Sequence, residues 1–402
     1  VSGITASNKV YDRFATATLN TSSAVLVGVA SGDSVTLNTG SAVGAFSDKN
    51  VGTGKIVTVS GLTLSGADAS KYTLTQPTTT ASITEKALTV SGITASNKVY
   101  DRFATATLNT SSAVLVGVAS GDSVTLNTGS AVGAFSDKNV GTGKIVTVSG
   151  LTLSGADASK YTLTQPTATA SITSKNLTIA GIIASDKIYD RFTAAVLNTG
   201  SASLVGIISP DVVTITGSAV GTFADANVGT GKPVTISGFS ISGADSGNYS
   251  LTEPTATANI TAKNLTITGI TANDKVYDGF NTATLVGAPG ALVGIISPDV
   301  VTVTGSAVGT FSDPNIGVGK TVFISGLSII GADSANYSLI APTATASISS
   351  AALTVTGITA NDKIYSGNDV AVLNVGSAVL IGIASGDSVT LNTGSAVGAF
   401  SA

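Results

Sequence analysis

The chain repeats itself about every 88 residues, and that period limits the fold more than any single residue does. The segment from Ser2 to Asp12, Ser-Gly-Ile-Thr-Ala-Ser-Asn-Lys-Val-Tyr-Asp, returns at Ser91–Asp101. Altered copies stand at Ala180–Asp190, Thr268–Asp278 and Thr356–Ser366. Its tyrosines lie at 11, 100, 189, 277 and 365, giving periods of 89, 89, 88 and 88. Residues 1–89 and 90–178 differ only at Thr79/Ala168, Glu85/Ser174 and Ala87/Asn176. Identity this high points to recent duplication and to a role in which copy number and length matter. The period is too long for ankyrin, leucine-rich or β-helix repeats and close to the length of one small β-sandwich. The chain therefore divides into units 1–85, 86–174, 175–262 and 263–350, with a partial fifth over 351–402. The fifth stops in the stretch matching Ala45-Phe46-Ser47, and residue 1 is not Met, so the sequence reads as part of a longer chain.

Within a unit the apolar residues alternate with a period of two, the signature of strands with one buried and one wet face. Val35 and Leu37 alternate with Ser34, Thr36 and Asn38; Val57 and Val59 with Thr58 and Ser60. Tyr72 and Leu74 alternate with Thr73 and Thr75; Ala81 and Ile83 with Thr80, Ser82 and Thr84. Val25-Leu26-Val27 is continuously apolar and reads as a central strand. Ser31-Gly32-Asp33, Asn38-Thr39-Gly40, Asn50–Gly54 and Ser65–Asp68 read as turns. Pro77, which recurs as Pro166, Pro254 and Pro342, belongs at a strand end because it cannot donate to a ladder. Only Glu85-Lys86-Ala87 separates the last strand of one unit from the first of the next, a span of about 10 Å. The expectation is an all-β chain of tandem immunoglobulin-like sandwich modules, each burying its own interior and abutting the next. With strands of roughly 33 Å, four modules end to end give an elongated rod on the order of 150 Å or more.

Composition excludes much chemistry. There is no Cys, His, Met or Trp, which removes disulfides, thiolate zinc sites and the usual general base. The net charge of −4 gives no basic field for nucleic acid or an anionic membrane, and no run of about 18 apolar residues occurs. Glutamate stands only at Glu85 and Glu253, so a paired-carboxylate hydrolase is not expected. The Gly52-Thr53-Gly54 cluster lacks the Lys-Ser/Thr of a phosphate loop. The expectation is no enzyme and no cofactor. Calcium is the one ion worth considering, with Asp33, Asp48 and Asp68 as ligands from turns beside Asn50 and Ser65. The competing reading makes these aspartates turn caps, because each cluster offers fewer carboxylates than calcium wants.

Asp68-Ala-Ser-Lys-Tyr72-Thr-Leu74 resembles the tyrosine corner of immunoglobulin-like sandwiches, with Leu74 where antibody domains place cysteine. It recurs around Tyr161, Tyr249 and Tyr337, each read as a fold-locking residue whose hydroxyl bonds nearby backbone. At Tyr11-Asp12 the chain resembles the YDG and MBG-type bacterial Ig-like repeats. Asp274-Lys-Val-Tyr277-Asp278-Gly279 is the fullest match, and the Gly-Ala-Asp…Tyr…Leu…Pro-Thr run of every full unit is similar to the same family. Arg13, Arg102 and Arg191 stand where the motif has glycine, and the fifth unit reads Tyr365-Ser366-Gly367. The resemblance implies a very large extracellular bacterial surface protein of the filamentous-haemagglutinin type, engaged in adhesion, biofilm or filament formation. Its partners would be copies of itself along or beside the rod, and a host or matrix surface reached through other domains. It also raises a Lys–Asn isopeptide bond, for which Lys9 and Asn8 are the residues present, without an accompanying Glu. A second reading makes each unit a glycan- or protein-binding module acting through its Thr/Ser-rich faces.

Overall fold

The computed structural model describes residues 1–287 and 289–401. Among the described residues the chain is all-β, punctuated by four one-turn 3₁₀ segments. It divides into two compact units: residues 1–178, 204–216 and 240–252 form one, and 179–203, 217–239 and 253–402 the other, so the third sequence repeat contributes to both.

The second repeat shows the local plan. Its strands are β1 (Lys86–Ser91), β2 (Thr94–Ala95), β3 (Lys98–Val99), β4 (Thr105–Ala106), β5 (Leu108–Asn109), β6 (Val114–Val116), β7 (Thr125–Asn127), β8 (Val132–Phe135), β9 (Gly141–Ser149), β10 (Thr152–Ser154), β11 (Tyr161–Leu163) and β12 (Thr167–Thr173). They form a five-stranded sheet in the order β3-β12-β9-β8-β4 and a three-stranded sheet in the order β6-β1-β11, with β2-β5 and β7-β10 as two-stranded ribbons. The β3–β12 and β1–β11 pairs are parallel and the remaining pairs antiparallel. In the fourth repeat Thr302–Phe311 and Gly317–Ile330 are single long strands that pair over their length across a register shift between Gly305 and Val308.

Three local expectations are corrected. The apolar run Val25-Leu26-Val27 forms only an isolated bridge, Val25 with Ser2; its counterpart in the second repeat, β6, is an edge strand, and the centre of that sheet is β1, which begins inside the segment read as linker. Lys86 belongs to β1, so a single residue separates consecutive repeats: Glu85, Ser174 and Ala262. The Gly52-Thr53-Gly54 stretch is no turn. It lies inside the strand Gly52–Ser60 as a register shift between Gly52 and Lys55, with Gly54 at φ 58°, so the glycines supply a bulge rather than a strand end.

The interior does not follow the sequence period. One small cluster, Val90, Val148 and Leu151, lies within the second repeat. The larger one unites Phe135, Val146, Ala170 and Ile172 of the second repeat's five-stranded sheet, and Tyr100 at its edge, with Leu177 and Tyr249 of the third repeat's three-stranded sheet and the adjacent Val213. The same arrangement joins repeats one and two through Leu88 and Tyr161, and repeats three and four through Leu265, Val301 and Tyr337. The reason is visible in the alternation. Ala81 and Ile83 are buried on odd positions, Leu88 and Val90 on even ones, so the chain changes face at Glu85. It leaves one sheet and enters the sheet packed against it.

One glycine sets the packing of each five-stranded sheet. A Cβ on Gly133 would stand 2.7 Å from Leu108 Cδ2 and 2.9 Å from the Ala106 carbonyl; Gly44, Gly221 and Gly309 face the same leucine equivalents at 2.7–2.8 Å. Gly133→Ala is expected to destabilise by about 1–3 kcal/mol, the usual cost of overfilling a packed site. Urea unfolding should show a lowered midpoint with an unchanged m-value.

Candidate functional site

The residues that draw the most polar contacts lie at the repeat boundaries. Tyr11 follows the two-residue strand Lys9–Val10 and is fixed there by its N–H donating to the Thr84 carbonyl at 2.9 Å. Asp12 then turns the chain, its Oδ1 accepting from Lys9 Nζ at 2.8 Å and from the Phe14 N–H at 2.9 Å. The turn places Arg13 in the left-handed region at φ 76°. In the next repeat a tight turn, Asp122 N–H to Ala119 carbonyl at 3.1 Å, presents the Asp122 carboxylate inward, 2% exposed.

That carboxylate is gripped from both repeats. Tyr11 donates to Asp122 Oδ2 at 3.0 Å and Tyr161 to the same oxygen at 2.6 Å. The Tyr161 hydroxyl also accepts the Ala119 N–H at 3.0 Å. The two rings meet edge to face, 5.5 Å between centroids, the favoured geometry for aromatic pairs. Arg13 Nε lies 2.8 Å from Asp122 Oδ1, an ion pair by distance without the alignment of a hydrogen bond, and its Nη1 donates to the Ser120 carbonyl.

The clasp recurs with the period. At the second boundary Asp211 accepts from Tyr100 at 3.0 Å and Tyr249 at 2.7 Å, with Arg102 Nε at 2.6 Å and Arg102 Nη1 on the Ser209 carbonyl at 2.9 Å. At the third, Asp299 accepts from Tyr189 at 2.9 Å and Tyr337 at 2.6 Å, with Arg191 Nε at 2.9 Å. At the fourth, Tyr277 reaches Asp387 at 3.0 Å and Gly279 holds the left-handed position at φ 77°. A further contact differs between copies. Lys160 Nζ sits 5.4 Å from the centre of the Tyr11 ring. In the later repeats its place is taken by Asn248 and Asn336, whose Oδ1 atoms accept the Val140 and Val228 N–H groups at 2.9 Å.

Burial, then hydrogen bonding to a carboxylate, pushes Tyr100, Tyr161 and Tyr337 up to about 12. Burial works to raise the Asp211 carboxyl, but the Tyr249 and Tyr100 hydroxyls and the Arg102 charge outweigh it and hold it below its ordinary 3.8. The clasp is thus a buried carboxylate made tolerable by two neutral donors and a cation.

The remaining sequence candidates fall elsewhere. Tyr72 donates to Asp33 Oδ2 at 2.6 Å and accepts the Ala30 N–H at 3.0 Å, so Asp33 is the first repeat's clasp aspartate. The hydroxyl reaches backbone 42 positions away in sequence rather than the neighbouring chain. Asp48 receives Lys55 Nζ at 2.8 Å on both oxygens and the Asn50 N–H at 2.7 Å. Asp68 receives the Ser34 N–H at 2.9 Å and Lys71 at 2.7 Å. Asp33 and Asp68 share Lys71, at 3.6 and 2.7 Å, Asp48 serves a separate turn, and no group of three or more acidic side chains placed to hold a metal ion occurs among the described residues. Leu74 packs on Val59 and Leu62, and the Pro77 carbonyl accepts the Val59 N–H at 3.0 Å. Lys9 is committed to Asp12 and the Phe14 carbonyl, and Asn8 to the Ser82 N–H at 2.7 Å. Sequence reasoning missed the arginines and the meeting of Tyr11 with the next repeat's aspartate. A signal existed: Asp33, Asp122, Asp211, Asp299 and Asp387 recur in phase, each after Ser-Gly or Ser-Pro.

Fold and boundary together define a tandem all-β repeat protein whose copies share their interiors. The YDG domain model matches residues 1–81, 84–170, 173–258 and 261–346, and the chain belongs to the YDG domain family. No curated protein matches it. Among solved structures it is similar to Drosophila N-cadherin EC1-4, at 7% identity and a TM-score of 0.19 over 86% of this chain and 98% of that one. It is also similar to the surface layer protein SbsC, domains 1–6, at 12% identity and a TM-score of 0.14 over 92% of this chain and 62% of that one. Both likenesses are too slight to bear on fold or function. No helix among the described residues is long and apolar enough to cross a membrane.

Two expected outcomes test the clasp. Arg102→Ala should cost about 1–3 kcal/mol, the loss of a charged partner to a buried acceptor. Arg102→Gly should cost about 1 kcal/mol less, because glycine carries no left-handed penalty; chemical denaturation compares the two. The pH dependence has two edges. The tyrosine contribution is complete below the unfolded value of 10.0 and is lost as pH rises through about 12, and the Asp211 contribution is present above 3.8 and lost as pH falls below it. Tyrosinate absorbance should therefore rise together with loss of the β circular-dichroism signal at the alkaline edge. Titration of Tyr100, Tyr161 and Tyr337 near 10 in the folded chain, followed residue by residue, would contradict the assignment.

Proposed function

We propose that this chain is a structural stalk segment of a large bacterial surface or secreted adhesin, built from immunoglobulin-like β-sandwich modules stacked into an elongated rod. It spaces adhesive domains from the cell and transmits load between them, in adhesion, biofilm or filament formation, and it has no catalytic role. The observation that carries this reading is the repeat boundary: a one-residue connection, a shared apolar core and a buried polar clasp. A boundary of this kind resists bending and separation, which a chain of independently functioning beads does not need. Near-neutral charge and Thr-rich faces suit an extracellular setting and lateral association with copies of itself.

A second reading, direct recognition of a glycan or protein surface, is favoured by one feature. Phe14, Phe103, Phe192 and Phe280 are 62–69% exposed, one per repeat beside the clasp turn, and exposed aromatics commonly mark contact surfaces.

Small-angle X-ray scattering on the full chain tests the stalk. The expected result is an elongated pair-distance distribution with a maximum dimension on the order of 150 Å and little flexibility. A compact particle would overturn the reading. Saturable binding to a glycan array, lost on Phe103→Ser, would replace it with the second.

A further inference from the structure

Arginine is an unusual occupant of the left-handed region, where a side chain is strained and glycine is at home. Three of the five equivalent positions nonetheless carry it: Arg13, Arg102 and Arg191 at φ 76°, 72° and 71°. The other two are Gly279 and Gly367, at φ 77° and 73°. The backbone is therefore the same in all five, and the arginines hold it against their own preference. A residue kept in a strained conformation is retained for what its side chain does. Here each side chain crosses into the following repeat and meets both a buried carboxylate and the carbonyl two residues before it.

We infer that this arginine is a junction lock, and that the choice between arginine and glycine at the left-handed position sets how rigid each boundary is. A shared core and a pair of tyrosines hold each of the first three boundaries together. The arginine adds a connection that spans the seam from the opposite side of the carboxylate: the tyrosines use Oδ2 and the arginine Oδ1. Where glycine stands at this position, Tyr277 donates to Asp387 Oδ1 rather than Oδ2, so the hydroxyl alone does not fix which carboxylate oxygen faces it. With the guanidinium fork in place it is fixed at both oxygens, and its loop is pinned through the serine carbonyl. Lysine cannot substitute, because a single ammonium does not reproduce the fork.

The fourth boundary is already shaped to receive the lock. A Cβ on Gly279 would stand 3.5 Å from the Ser385 carbonyl oxygen and 3.7 Å from Ala384 Cβ, ordinary contact distances, and both acceptors, the Ser385 carbonyl and the Asp387 carboxylate, follow the spacing of Ser120 and Asp122. The inference goes beyond the stalk proposal, since it assigns rigidity boundary by boundary and holds whatever the chain supports.

Hydrogen exchange followed by mass spectrometry on the full-length chain tests it in both directions. In Arg102→Gly, exchange in residues 207–213 should accelerate at least tenfold while the second repeat's five-stranded sheet keeps its wild-type rate. Arg102→Lys should behave like Arg102→Gly. In Gly279→Arg, exchange in residues 384–389 should slow at least tenfold. Unchanged exchange in Arg102→Gly, acceleration spread evenly over the whole chain, wild-type protection in Arg102→Lys, or no protection in Gly279→Arg would each overturn the inference. A compact particle in scattering with these exchange changes intact would sink the stalk and leave the lock standing.

Discussion

A carboxylate withdrawn from water at each of the first three repeat boundaries is the constraint around which the rest is arranged. Burying a charge is costly unless it is paired and hydrogen-bonded, and Asp211, 1% exposed, has its partners only when two repeats are correctly apposed. Tyr249 comes with it from its own repeat; Tyr100 and Arg102 come from the repeat before. Apolar contact alone would tolerate sliding or rotation between the sheets, because it is non-directional. The polar clasp is directional, and it ties the register of one sheet to that of the next. The recurring glycine against leucine, Gly133 on Leu108, keeps the sheet close enough for the clasp to form.

This arrangement explains why the structural and sequence periods are out of step. The large clusters each draw on a five-stranded sheet from one repeat and a three-stranded sheet from the next. The change of buried parity around Glu85 is the local cause: one residue of odd phase turns the chain from one wall of a core to the facing wall. Lys86 and Leu88 then enter a parallel pairing with Tyr161 and Leu163 of the same repeat, so the strand that begins a repeat also closes the core it shares with its predecessor.

Much of this was legible in the residues. The alternation at Val57/Val59 and Ala81/Ile83 identified buried strand faces because period two is a local property. The Tyr72 family was recognisable as framework because its spacing to Asp68 and Leu74 is also local. What could not be read was which distant groups those side chains meet. Tyr11 and Asp122 are separated by 111 positions, and no short-range pattern records that proximity. The Val25–Val27 run misled for a different reason: its counterpart Val114–Val116 is an apolar strand on the edge of a small sheet, with its middle residue facing the core, and has the same composition as a central one. The Gly52-Thr53-Gly54 bulge misled because glycine serves turns and bulges through the same conformational freedom. The arginines looked like departures from a motif, since a strained left-handed backbone leaves no trace in sequence until the glycine alternatives at 279 and 367 are set beside it.

The sharing of walls between copies has a genetic consequence. Since each large interior is assembled from the five-stranded sheet of one copy and the three-stranded sheet of the next, unequal exchange between the nearly identical stretches 1–89 and 90–178 yields a chain in which every newly created seam still brings together matching walls. Arrays of this design can lengthen or shorten by whole copies without evolving a single new contact.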